Sequence, residues 1–225
     1  MATQPIYQFY AKLDGFEPKI WRRFQIAGNY TVAKFAYVLM AMYQMQGNHM
    51  FSVQLLNADH PLLNEDLPAN VIPVNFAADG TREFQVPHVD FFGFGGEENY
   101  EDATAFQIKK VLSKPGDQLV LEYDFGDSWL VTAKLESIFN DKDLPARELP
   151  RVLEGEGYGI VEDCGGIDSL YSIRDAFDRG EGEEYEELCE WLGVDHFDLS
   201  AFSAAQMSRI IKSAPRFFKS IYENN

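Results

Sequence analysis

Two short acidic motifs and one histidine carry most of the chemistry this sequence offers. Asp124 and Asp127 flank Gly126 in LVLEYDFGDSW (residues 119–129), Glu162 and Asp163 precede Cys164 in GIVEDCGG (159–166), and His49 lies in GNHMFSV (47–53). Brought to one end of a sheet, four carboxylates and an imidazole form a ligand set suited to a divalent cation such as Mg²⁺ or Mn²⁺, with Ca²⁺ also accommodated. A cation held there can activate water for hydrolysis of a phosphoester or an amide. Without one, gathered carboxylates repel one another and raise some of their own pKa values. A purely structural use of the same residues stays open. Aspartates beside a turn glycine accept backbone N–H bonds, Asp168 or Ser169 can cap a helix that follows Glu162 and Asp163, and His49 can be an ordinary hydrogen-bonded residue.

Arg22 and Arg23, beside Trp21, are a second candidate group, since paired guanidinium groups next to an aromatic ring grip phosphate or carboxylate. In a chain this acidic, the expected use is internal: salt bridges to its own Asp and Glu, those of the two motifs among them. Cys164 sits in a glycine-bounded loop ahead of a helix, where amides can lower a thiol pKa, but no histidine is near it in sequence. FGFGG (92–96) lacks the Walker lysine and is followed by acidic residues, so it reads as a surface loop, not a phosphate cradle. No complete catalytic set emerges, and no cofactor is expected beyond a divalent metal at Asp124, Asp127, Glu162 and Asp163.

These side chains must be positioned by the elements around them. IYQFYAKL (6–13) places Tyr7, Phe9, Ala11 and Leu13 on one face, DGFEP turns the chain, and Ile20, Phe24 and Ile26 share a face of IWRRFQI, which predicts a β-hairpin. Thr31 is the expected cap of a helix with Val32, Phe35, Ala36, Leu39, Met40 and Tyr43 in register, ending near Gly47. FSVQLL (51–56) reads as a strand. Residues 57–102 are the least regular stretch, with REFQV (82–86) its best strand candidate, and TAFQIKKVL (104–112) reads as a short helix. DQLVLEYDF and SWLVTAKLESI then form a second hairpin. Leu119, Leu121, Tyr123 and Phe125 lie on one face of the first strand and Trp129, Val131, Ala133 and Leu135 on one face of the second, with Gly126 and Asp127 expected to take the positive φ of the corner.

From residue 141 a charged, proline-containing connector leads to GIVEDCGG. SLYSIRDAF is in helical register and stops at Gly180, EGEEYEELCEWLG is an acidic helix with an apolar stripe of Tyr185, Leu188, Cys189 and Leu192, and AAQMSRIIK is a last helix ending before Pro215, followed by an apolar tail, FFKSIY. The pattern predicts a single α+β domain over 1–225. It opens ββαβ, carries a mixed or largely antiparallel sheet over about 5–139 with helices packed on it, and ends in a helical part over about 165–225.

Composition narrows the function classes. With 46% hydrophobic and 14% aromatic residues, the 225-residue chain has ample material for a core. Acidic residues outnumber basic ones 36 to 19, for a net charge of −17, which disfavours nucleic acid and anionic membranes as partners. The first residues show neither a basic nor an apolar targeting segment, no long apolar run occurs, and two cysteines are too few to staple the domain, so a cytoplasmic location is expected.

Four pieces in order, PKIWRRFQI, GNHMFSV, LEYDFGDSW and GIVEDCGG, followed by an acidic helix ending in WLG, resemble the plasmid pRiA4b ORF-3-like family over roughly residues 5–200. That family includes an insertion-element passenger protein, so the resemblance implies an α+β fold and an association with plasmids or mobile elements. It names no reaction. Relatives typically carry a histidine where this chain has Val131 and a double proline where it has Ile160 and Val161. The first functional expectation is therefore a non-enzymatic module whose acidic surface meets a basic partner protein, in an oligomeric state the sequence leaves open. The alternative is a metal-dependent hydrolase built on the carboxylate cluster.

Overall fold

The alternation at the start of the chain closes as a hairpin in which β1 (Ile6–Leu13) pairs antiparallel with β2 (Trp21–Ala27) and Phe9 lies opposite Phe24. The computed structural model describes residues 4–57, 59, 81–87 and 100–223, so the FGFGG segment lies outside the described residues. Thr31 caps α1 (Val32–Met42), its Oγ1 accepting from the Lys34 amide at 3.2 Å. The helix stops at Met42, short of Gly47, and the chain crosses to β3 (Phe51–Leu56) through Gln44 and Gly47, both at positive φ. Next come β4 (Arg82–Gln85), β5 (Glu101–Asp102) and a one-turn α2 (Ile108–Val111). The second hairpin is β6 (Gln118–Tyr123) with β7 (Trp129–Phe139).

Among the described residues these strands join one eight-stranded sheet in the order β5-β4-β3-β6-β7-β1-β2-β8, antiparallel throughout except for the β4/β5 pair. The α+β class and the ββαβ start follow directly. The two-residue β5 was not legible, nor was β8 (Arg151–Glu156), which forms inside the segment read as a charged connector. Only Val152 of β8 is buried, so this edge strand shows none of the alternation that marks β1 or β6.

α1 is buried almost all round. Its Phe35 ring lies 5.0 Å from Phe9 and 6.1 Å from Phe24 on the sheet, and its Tyr37 lies 5.8 Å from both Phe218 and Tyr222 on the opposite side. Phe218 and Tyr222 belong to α5 (Ala204–Tyr222), which runs straight through Pro215 where a stop was expected. Met207, Ile211, Ala214, Phe218 and Tyr222 form one buried stripe along it. An interior proline costs about 3 kcal/mol, while burying two large aromatic side chains returns roughly as much or more, so the helix continues and the apolar tail is its last two turns. α3 (Ile167–Arg179) and α4 (Glu183–Leu192) complete the chain and stop at the left-handed Gly180 and Gly193. The N-cap of α3 is Gly166 with no side-chain hydrogen bond, so neither Asp168 nor Ser169 caps it. Among the described residues no helix is long and apolar enough to cross a membrane.

Candidate metal centre

At one end of the sheet the β6–β7 corner, the loop before α3 and the α1–β3 crossing meet. The corner is built differently from the expected glycine turn. Asp124 (φ 57°) and Ser128 (φ 51°) take the left-handed conformation, whereas Gly126 does not. Aspartate tolerates that region because its side chain compensates locally: Asp124 Oδ1 accepts from the Gly126 amide at 3.0 Å, and the Ser128 amide donates to the Asp124 carbonyl at 2.6 Å. The wider loop tips Phe125 outward, 47% exposed, so it does not join the core face of Leu119, Leu121 and Tyr123.

Asp163 also sits at positive φ (59°), and between the two strained aspartates lies His49. Its Nε2 is 2.9 Å from Asp163 Oδ1 and 3.8 Å from Glu162 Oε1, and its Nδ1 is 3.5 Å from Asp124 Oδ2. One ligand atom from each of His49, Asp124 and Asp163 falls within 4.8 Å of the others, a spacing that can hold a metal ion. The side chains grade from 13% exposed at Asp124 through 28% at His49 to 63% at Asp163, so the cluster opens to solvent on the Asp163 side.

Glu162 and Asp127 reach the same place but have other tasks. Glu162 takes the Gln46 amide on Oε2 at 3.1 Å and the Tyr123 hydroxyl on Oε1, and Tyr123 in turn accepts the Gly47 and Asn48 amides at 3.0 and 3.2 Å. These bonds fasten the loop that carries His49. Burial nevertheless holds the Glu162 carboxyl above its usual range. Asp127 Oδ2 accepts the Gly165 amide at 3.0 Å and so ties one acidic motif to the other. The approach is close enough that a Cβ on Gly166, itself at φ 84°, would lie 3.0 Å from the Asp127 carbonyl oxygen. Two supports were missed in the sequence. Tyr123 reads as one more apolar position of an alternating strand, and Tyr222, whose hydroxyl donates to the His49 carbonyl at 2.6 Å, is far along the chain.

Residues 5–206 match the family described as plasmid pRiA4b ORF-3-like protein, and every residue of the cluster lies within that span. The chain belongs to this family. The chain is 32% identical over 91 residues to the uncharacterized protein y4hQ of Sinorhizobium fredii (strain NBRC 101917 / NGR234). That match takes in 40% of this chain and 44% of the relative's length. The fold is shared with the crystal structure of the protein of unknown function MM3350 from Methanosarcina mazei Go1, at a TM-score of 0.69 and 22% identity, over 91% of this chain and 98% of that one.

Val131 is fully buried opposite Leu121 and Leu13 in the sheet. The other two motif residues of interest stand apart from the cluster. Arg22 is wholly buried and meets no carboxylate among the described residues: Nη1 donates to the carbonyls of Trp21 and Glu156 (2.8 and 2.5 Å), and Nη2 to those of Met42, Gly157 and Tyr158 (3.2, 2.7 and 2.8 Å). Burial pushes its guanidinium down to about 10, still charged at neutral pH. Arg23 does form internal salt bridges, but to Glu136 on β7 and Glu154 on β8, not to either acidic motif. Cys164 is pushed up to about 11 by burial, so it is a protonated thiol and no activated nucleophile.

Proposed function

We propose that this protein holds a divalent cation on His49, Asp124 and Asp163 and uses it to activate water for hydrolysis of a phosphoester or amide. The observation that supports this reading is the convergence of one ligand atom from each of the three residues to within 4.8 Å, from three separate loops. Three protein ligands leave coordination positions for water and substrate, as catalytic metal sites require. The mixed imidazole and carboxylate donors favour Mn²⁺ over Mg²⁺, because imidazole is the softer ligand. Glu162 and Asp127 act as positioning residues: the first fastens the His49 loop, the second joins the two acidic motifs.

The second reading is a non-enzymatic cytoplasmic module encoded with mobile or accessory genes, whose acidic surface meets a basic protein. It is supported by α4, which carries five glutamates, no cation and an exposed Trp191. A thermal-shift titration of chelator-treated protein with Mn²⁺, Mg²⁺, Ca²⁺ and Zn²⁺, beside an Asp124→Asn/Asp163→Asn double variant, separates the two. At a hundredfold excess over Kd, a bound ion adds about 2.7 kcal/mol to stability; the metal reading expects that gain in the parent and its loss in the variant. A flat response in the parent, with the variant merely less stable, makes the cluster an internal polar network and leaves the interaction reading standing.

A further inference from the structure

A phosphoester and an amide make opposite demands on the surroundings of a metal centre. The phosphoester brings negative charge, which proteins ordinarily meet with Arg or Lys. All 19 Lys and Arg of this chain fall among the described residues, and none of them pairs with Asp124, Asp127, Glu162 or Asp163. His49 is the one basic side chain within ion-pair distance of Asp124, Glu162 and Asp163, and Asp127 is taken up by the Gly165 amide. Asp124 and Asp163, when ionised, balance both charges of a divalent ion. Nothing positive is then left over for a phosphate group, in a chain whose net charge of −17 already repels one.

The groove beside the cluster suits the neutral alternative. It has a volume of about 540 Å³ between α5 and the α1–β3 crossing, and no ionisable side chain lines it, although 24% of the chain is charged. One wall carries the carboxamides of Gln44, Gln46 and Asn48, whose side chains have no hydrogen-bond partner among the described residues. The other carries Ile210, Phe217 and Phe218, with Ile210 39% and Phe217 55% exposed. The same two elements hold the metal centre. The Gln46 and Asn48 amides donate to Glu162 and to the Tyr123 hydroxyl at 3.1 and 3.2 Å, and Tyr222, one helical turn beyond Phe218, donates to the His49 carbonyl at 2.6 Å. His49 directly follows Asn48, so about 3.8 Å of chain separates the wall of the groove from the first metal ligand.

We infer, on the basis of the hydrolytic reading of the cluster, that its substrate is an uncharged stretch of peptide lying in the groove along α5, and that the bond broken is a backbone amide. A carboxamide both donates and accepts, so the three on one wall can pair with the N–H and C=O groups of an extended chain. Apolar side chains of that chain pack on Ile210 and Phe217 opposite. In the reaction a water adds its oxygen to the carbonyl carbon and the C–N bond breaks. One proton of the water passes to the leaving amine, and the acyl part is released as a carboxylic acid.

Three measurements on the full chain test it: the thermal shift with Mn²⁺ alone, the anisotropy of an end-blocked, dye-labelled peptide of Ala, Gln, Leu and Phe without metal, and hydrolysis of that peptide against p-nitrophenyl phosphate with Mn²⁺ present. The peptide is expected to bind, to be cut only with Mn²⁺, and to turn over faster than the phosphoester. Phe217→Glu, at an exposed position, should weaken peptide binding and raise KM about tenfold or more while leaving the Mn²⁺ shift unchanged. A Mn²⁺ shift accompanied by no peptide binding, by a peptide bound but uncut, by faster turnover of p-nitrophenyl phosphate, or by a KM indifferent to Phe217→Glu overturns the peptide assignment and leaves the metal site standing. Absence of any Mn²⁺ shift overturns the metal reading itself, and the substrate assignment falls with it even where the groove binds the peptide.

Discussion

Arg22 and His49 are both polar residues at the ends of sheet strands, yet Arg22 is closed off among carbonyl oxygens of its own chain while His49 faces carboxylates in a cluster open to solvent on one side. At Arg22 the backbone supplies five acceptors, and its Nη1 and Nη2 atoms are satisfied internally. At His49 the neighbouring oxygens belong to carboxyl groups, two of them on aspartates at positive φ. The contrast shows how burial assigns roles. A charge enclosed by the groups that satisfy it holds a structure together, whereas anionic ligands left half open are available to a cation.

The largest expected effect is at Arg22. Arg22→Ala leaves the carbonyls of Glu156, Gly157, Tyr158 and Met42 without this donor and opens a cavity, so a loss of about 3–5 kcal/mol or outright failure to fold is expected in urea unfolding. A loss under about 1 kcal/mol would remove the distinction between the two constellations.

Tyr123→Phe comes next, at about 1–3 kcal/mol, because it deprives a buried carboxylate and two amides of one hydroxyl. This cost depends on pH. Burial raises the folded Glu162 pKa, and the Tyr123 hydroxyl opposes that rise, so the substitution raises the folded value further. A carboxyl with a raised folded pKa loses stability as pH climbs from the unfolded value of about 4.3 through the folded one. The difference between variant and parent should therefore be larger at pH 7 than at pH 4. Equal differences at both would mean that Glu162 is not ionised beside Tyr123.

Arg23→Ala is the smallest. Arg23 and both of its carboxylate partners are at least a quarter exposed, so a change below about 1 kcal/mol is expected, against the large loss at its neighbour. Comparable losses at Arg22 and Arg23 would show that charge pairing, not enclosure of Arg22, holds this strand end.

Much of the frame was legible because it obeys short-range rules. β1, β2, β3, β6 and β7 announce themselves by period-2 alternation, α1 by its Thr31 cap and apolar register, and α3 and α4 by the glycines that end them. Elements decided by distant partners were not. β8 is a strand because β2 offers it a ladder, and α5 passes Pro215 because α1 presents Tyr37 to Phe218 and Tyr222. At the site, the sequence offered Asp124, Asp127, Glu162, Asp163 and His49 as candidates that would meet only if the two turn motifs and the start of β3 shared one end of the sheet. The division of labour among them was not legible.

By itself the sequence determined the α+β class, the family, the acidic character and the short list of polar residues, since residue type, spacing and local periodicity are properties of neighbours along the chain. The tertiary structure alone decided that Arg22 grips carbonyls, that Arg23 pairs with Glu136 and Glu154, that Phe125 turns to solvent, and that Asp127 ties the motifs while Asp124 and Asp163 face His49. Each of these depends on which backbone or side chain lies a few ångströms away in the fold, and pairings between residues tens to more than a hundred positions apart leave no mark in local sequence.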